Sequence, residues 1–201
     1  MPFVRYADDV VLHCVSKEEA EQMLKAIDDR LKEVGLILNG EKTQVVYYKD
    51  YRRKQEHEQV RFGFLGFSFQ PRPVRSKREP GTSFTGFTAE ISGANQKKIR
   101  ESIKTSVNWR STTMQLADIA KALNNKLRGW VNYFGLFGKR RLRQTLLHVD
   151  AHLIKWLAHR HKEGYRAAQN RLLSAQRANP CLFYHWQKRY CYNVKEMTRA
   201  V

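Results

Sequence analysis

The residues with the clearest capacity for chemistry are two adjacent carboxylates, Asp8 and Asp9, in the run Tyr6-Ala7-Asp8-Asp9. Short stretches rich in β-branched and aromatic residues flank them, Phe3 to Tyr6 before and Val10 to Val15 after, which is the pattern of a hairpin with the acids at its tip. Side chains alternate across a strand, so neighbouring carboxylates there cannot point the same way. One can bind a divalent cation while the other supports it or faces elsewhere. The competing reading is plain turn chemistry, in which the Asp oxygens serve only the backbone of the turn.

A second group able to do chemistry is basic. Lys126, Arg128, Lys139, Arg140, Arg141 and Arg143 surround Trp130, Tyr133 and Phe134 in the sequence. Cations contact phosphates, and the aromatics among them either pack a core or stack on bases. The run from 139 to 143 follows the Gly135 to Gly138 turn and concentrates positive charge at a helix start, where the helix dipole disfavours it. Solvation alone explains that poorly, and RNA binding is predicted. Leu127 and Trp130 share a helical stripe with Leu123, so core packing accounts for them without a ligand. His148 and His152 share a helix face, but no third and fourth ligand falls at a matching spacing, and no zinc site is expected there or at Cys181 and Cys191.

Ser16 and Glu19 read as a capping box opening a helix whose stripe is Ala20, Met23, Leu24, Ile27, Leu31 and Val34, closed by Gly35 as a left-handed cap. Gln44 to Tyr48 reads as a returning strand, so the helix would cover one face of a small sheet. Residues 50 to 59 are polar, and Phe62 to Phe69 alternates aromatics with small residues, a tight hairpin whose glycines allow positive φ and close backbone approach. Pro71 to Thr82, carrying Arg72, Arg75, Lys77 and Arg78, reads as a basic loop and junction, with a strand at Gly86 to Ser92 after it. Helical periodicity then takes over. Its stripes are Ile99, Ile103 and Val107; Leu116, Ile119, Leu123, Leu127 and Trp130; and Leu142, Leu146, Val149, Leu153 and Leu157. A last helix from Tyr165 to Gln176 stops at Asn179-Pro180, and the tail beyond Cys191 is expected to fray.

The 201 residues suffice for one domain or two small ones, and 42% hydrophobic content is enough for a core. A formal net charge of +18 points to a polyanionic partner, with nucleic acid first and a generally solvated basic surface as the bland alternative. The charge is uneven. Residues 1 to 50 carry 7 Lys or Arg against 10 Asp or Glu, a net −3, and residues 51 to 201 carry 30 against 9, a net +21. An acidic piece holding the paired carboxylates is followed by a strongly basic one. Three cysteines without a close pair argue against a disulfide framework and for a reducing compartment. No run reaches the ~20 apolar residues of a membrane span, and a cytoplasmic, non-membrane protein is expected.

Four elements in order, Phe3 to Asp9, Leu38-Asn39-x-x-Lys42-Thr43, Phe64-Leu65-Gly66-Phe67 and Leu127 to Phe134, resemble the group II intron reverse transcriptase/maturase. The resemblance implies an α+β chain: a partial polymerase palm at 1–70 (β-hairpin, helix, strands), a basic linker with a possible strand at 71–94, and an α-helical thumb or maturase-specific domain at 95–201. It implies that Asp8 is the principal metal ligand with Asp9 beside it. Lys42 would stand near the triphosphate as a charge neutraliser or proton donor to the leaving group. Tyr6 and Ala7 would lie under the primer end and incoming nucleotide, and Phe64, Leu65 and Gly66 would form the primer grip; Tyr6 as a packed strand aromatic and 64–67 as a structural hairpin are the plainer readings. The implied activity is RNA-directed DNA polymerisation with two Mg²⁺ ions, coupled to splicing of intron RNA, on an RNA/DNA primer-template. The family's fingers and its first palm carboxylate are not matched, so a separate chain supplying them is one expectation. The alternatives are a non-catalytic module that binds intron RNA, and an inactive gene fragment.

Overall fold

The acidic hairpin forms where the strand-forming residues place it. In the computed structural model, which describes residues 2–53, 55–76 and 78–192, β1 (Phe3–Tyr6) pairs antiparallel with β2 (Asp9–Leu12). The register runs from Phe3 opposite Leu12 to Tyr6 opposite Asp9, leaving Ala7 and Asp8 as a two-residue loop. Ala7 takes φ +52°, the positive value that lets a short loop follow the twist of its strands. Helix α1 (Lys17–Glu33) starts as its sequence dictates: Ser16 Oγ accepts from the Glu19 N–H at 3.2 Å. The Glu19 carboxylate reaches one residue further back than a capping box requires and accepts from the Val15 N–H at 2.6 Å. The helix ends in a Schellman motif, with Gly35 at φ +74°, its N–H on Lys32 O at 3.0 Å and the Leu36 N–H on Leu31 O at 2.8 Å.

Two elements differ from the sequence reading. Gln44 to Tyr48 is irregular and not a strand. A ladder needs a neighbour over several residues, and this run has one backbone bond of that kind, Tyr47 N–H to Gln59 O at 2.8 Å, beside a Gln59–Gln44 side-chain contact. Conversely, the first five residues of the expected basic loop are strand. β3 (Phe62–Phe64), β4 (Phe67–Arg75) and β5 (Ser83–Ile91) form a sheet in that order, with Pro71 and Pro73 inside β4. Alternate residues direct their N–H groups to the same edge, so both prolines spare the same one. The three-residue β3 stops short of that edge: its first residue, Phe62, stacks on Phe69 with ring centroids 4.8 Å apart. The expected fraying of the tail lies, from residue 193 onward, outside the described residues, as does Lys77 of the basic loop.

The chain divides into two compact units, one comprising residues up to Phe64 together with Phe69–Phe87, the other Leu65–Ser68 together with the chain from Thr88. In the first, α1 buries no residue completely; Met23, Leu24 and Ile27 are half-buried while Val15 and Ile37 stand 92% and 88% exposed. Much of its packing is between rings, Tyr47 on His57 at 4.0 Å, Tyr48 on Phe87 at 4.4 Å and Phe62 on Phe69.

The second unit holds the core. Helices α2 (Gly93–Thr105), α3 (Leu116–Phe134), α4 (Lys139–His161), α5 (Tyr165–Ala178) and the short α6 (Tyr184–Gln187) follow one another. α4 packs against α2, α3 and α5, and α3 against α6. Leu123 and Leu127 of α3 and Leu142, Leu146, Val149, Leu153 and Ile154 of α4 are completely buried, so the helical stripes of the sequence are the core faces. Among the described residues no helix is long and apolar enough to cross a membrane.

Candidate functional site

At the hairpin tip Tyr6, Ala7, Asp8 and Asp9 are all exposed, and Arg5 Nε donates to Ala7 O at 2.9 Å, bracing the loop from below. The two carboxylates are hard oxygen donors of the kind Mg²⁺ selects. They fit the ion in chemistry and fall short in number, because among the described residues no three His, Cys, Asp or Glu side chains gather into one site.

Lys42 is exposed, and its backbone is set by Asn39. Asn39 Oδ1 accepts from the Glu41 and Lys42 N–H groups at 3.1 and 3.2 Å, and Asn39 O accepts from those of Lys42 and Thr43 at 3.1 and 2.9 Å. An Asn followed three residues later by Lys is thus a turn that presents a lysine, a physical reason for that spacing. In Phe64-Leu65-Gly66-Phe67 the two turn residues take φ +48° and +78°, the pair of positive values a two-residue hairpin favours. Both turn carbonyls are already used: Leu65 O accepts from Tyr133 Oη at 2.9 Å, and Gly66 O from Asn95 Nδ2 and the Ser92 N–H at 3.0 Å each. A Cβ on Gly66 would stand 2.5 Å from Asn95 Nδ2, so the glycine has a packing reason without any ligand. Phe67 lies among Tyr133, Phe134 and Phe137.

The six basic residues of the helical part separate by what they touch. Lys126 Nζ donates to Ser106 Oγ at 2.7 Å and Ser102 Oγ at 3.2 Å, fastening α3 to α2. Arg141 pairs with Glu90 at 3.3 Å. The half-buried Arg143 donates to Cys191 O at 2.8 Å. Lys139, Arg140 and Arg128 face solvent, with the Arg128 guanidinium over the Tyr184 ring at 5.4 Å. α4 opens at Gly138, with φ +59° and no side-chain cap, and has no acid in its first turn. Gly138 approaches β5 so closely that a Cβ there would lie 2.9 Å from Glu90 Cα. The positive end of the helix dipole and the Lys139-Arg140-Arg141 run thus act in the same direction on any nearby anion.

The structure adds residues that the sequence reading passed over. A cleft of about 480 Å³ is lined by Val131, Asn132, Gly135 and Leu136 from α3 and its end, by Lys139, Arg140 and Arg143 from α4, and by Tyr184, Lys188, Arg189 and Tyr190. The local signal was the interleaving of aromatic and basic residues from Tyr184 to Tyr190. Their convergence with α3 and α4 is a tertiary fact that no local periodicity encodes. The segment is held in place by Asp150, which accepts from His185 Nε2, Trp186 Nε1 and the Tyr192 N–H, and by Asn124, whose Oδ1 accepts from the Tyr184 N–H and whose Nδ2 donates to Leu182 O, both at 2.9 Å. Burial pushes the hydroxyl pKa of Tyr190 and the thiol pKa of Cys191 upward, so both keep their protons at neutral pH.

Comparison with known families matches residues 1–69 to the reverse transcriptase (RNA-dependent DNA polymerase) family and residues 96–173 to the group II intron, maturase-specific domain. No curated protein and no solved structure matches the chain.

Proposed function

On the premise that the chain belongs to the group II intron reverse transcriptase/maturase family, we propose that its helical unit binds intron RNA as a splicing module. We further propose that the Asp8–Asp9 hairpin contributes Asp8 as principal ligand, with Asp9 beside it, to a polymerase metal site completed by groups outside this chain's described residues. The observation that carries the first part is the charge division: net +21 beyond residue 50, with Lys139, Arg140 and Arg128 displayed on the one unit that has a core. Phosphate-rich RNA satisfies such a surface, and its binding must weaken steeply with salt as counterions are released.

For the second part, the role of Mg²⁺ is to hold phosphate oxygens and lower the charge developing in nucleotidyl transfer. Asp8 would hold it, with Asp9 beside it, and Lys42, presented by the Asn39 turn, would stand as the cation for a triphosphate. A further carboxylate and a surface enclosing the nucleotide are needed, and a separate chain is one source. The test is a pair of assays on the purified chain. Salt-dependent RNA binding is expected to survive Asp8→Ala, and primer extension with Mg²⁺ is expected to be absent. Robust template-dependent extension abolished by Asp8→Ala would overturn the non-catalytic reading of the chain on its own, and loss of RNA binding in Asp8→Ala would displace the helical unit as the binding site.

A further inference from the structure

We propose that the cleft between the end of α3, the start of α4 and the segment Tyr184–Tyr190 is a site for single-stranded RNA. It would seat one unstacked nucleotide whose flanking phosphates lie on Lys139, Arg140 and Lys188. The inference rests on the reading of the helical unit as RNA-binding, and adds where the RNA is held and in which strand state.

Three observations converge. The first is size. About 480 Å³ is the scale of a small-ligand site and cannot admit an A-form duplex, whereas a base splayed from a loop or bulge is what proteins read in RNA. The second is charge. No acidic residue lines the cleft, and among the described residues no carboxylate lies within ion-pair distance of Lys139, Arg140, Lys188 or Arg189.

The third is an unused donor. Tyr190 is 7% exposed, and its hydroxyl lies against Gly135 on the cleft wall, where a Cβ would stand 2.9 Å away. Among the described residues that hydroxyl has no hydrogen-bond partner, and it is not among the atoms sealed from solvent, so it stays free to donate to a ligand in the cleft. Nearby, Asn132 Oδ1 is taken by the Tyr184 hydroxyl at 2.9 Å, which leaves its amide NH₂ as a further donor. A pocket offering cations and neutral donors suits a ligand made of acceptors, which describes a phosphodiester with its ribose oxygens and base edge.

The test measures binding of a 12-nucleotide single-stranded RNA, the matching RNA duplex and the matching single-stranded DNA to the full chain by fluorescence anisotropy across a salt series. Tyr190→Phe removes only the hydroxyl, and is expected to weaken single-stranded RNA binding about fivefold with an unchanged thermal midpoint. The double change Arg140→Glu with Lys188→Glu is expected to weaken it more than tenfold and to make the salt dependence shallower by about two counterions. A charge-matched control on exposed α2 positions, Lys97→Glu with Lys98→Glu, is expected to stay within twofold of the parent. A crosslink from 4-thiouridine RNA into the 184–190 peptide would support the site directly.

Equal losses in the cleft and α2 variants, or an unchanged affinity in Tyr190→Phe, would overturn the cleft while RNA binding by the unit stands. Duplex RNA or DNA bound as tightly as single-stranded RNA and with the same sensitivity to the cleft variants would overturn the strand assignment. A parent chain that binds no RNA would overturn both this inference and the reading beneath it.

Discussion

Asp150 is 1% exposed and receives three donors: His185 Nε2 at 3.0 Å, Trp186 Nε1 at 2.8 Å and the Tyr192 N–H at 3.1 Å. With His185 donating from Nε2, its Nδ1 is buried without a partner among the described residues. The carboxylate is therefore the one acceptor that makes burial of this imidazole tolerable. Replacing it by Ala strands two side-chain donors in the core, and Asp150→Ala is expected to cost about 3 kcal/mol in denaturant unfolding; a loss below about 1 kcal/mol would show that the network relaxes. A different residue-scale effect governs Gly66. Its φ of +78° and the 2.5 Å approach to Asn95 Nδ2 both oppose a side chain. Gly66→Ala is expected to destabilise the helical unit by about 1–2 kcal/mol, read from its thermal midpoint.

At the scale of elements, α4, which packs against α2, carries a histidine face whose titration gives a signed prediction. His152 stacks on Trp109 at 4.9 Å, and its pKa is lowered from 6.5, by burial first and then by Lys155, His148 and Lys104. His148 is lowered in the same way, by burial and then by Arg100 and Lys155. A histidine whose folded pKa lies below its unfolded value favours folding above 6.5, and that contribution drains away as pH falls from 6.5 toward the folded value. Stability is expected to drop below pH 6.5, and His152→Gln to flatten that slope; an unchanged slope in the variant would assign the titration elsewhere. These helices were legible in the sequence because burial on one face writes a 3.6-residue period into residues such as Leu142, Leu146, Val149 and Leu153. β4 was not, because Pro71 and Pro73 carry a turn signal that only the short reach of β3 explains. The candidate site was legible to the same degree. Hairpin, Asn39 turn and basic run are local patterns, whereas the fastening of Lys126 to α2 hydroxyls and the latch of 184–192 onto Asp150 depend on partners that distance in sequence conceals.

At the scale of the molecule, burial is unequally shared. Among the described residues up to Gly66 none is buried, and Phe67 is the first that is. Backbone amides of residues 2–53 are therefore expected to exchange with solvent far faster than those of α3 and α4 in native-state hydrogen exchange; comparable protection would mean that the acidic hairpin and α1 are stabilised by something other than a core. The cleft stands at the other extreme, since one of its walls is itself a docked segment. Whatever binds between that wall and α4 favours the docked state over the undocked one, so ligand at a hundred times its Kd would add about 2.7 kcal/mol to the hold on residues 184–190. The same linkage runs backwards. Asp150 is not part of the cleft lining, yet weakening its grip would tax any binding there with the work of rebuilding one wall, so if the cleft takes RNA as proposed, Asp150→Ala is expected to lower that affinity from a distance.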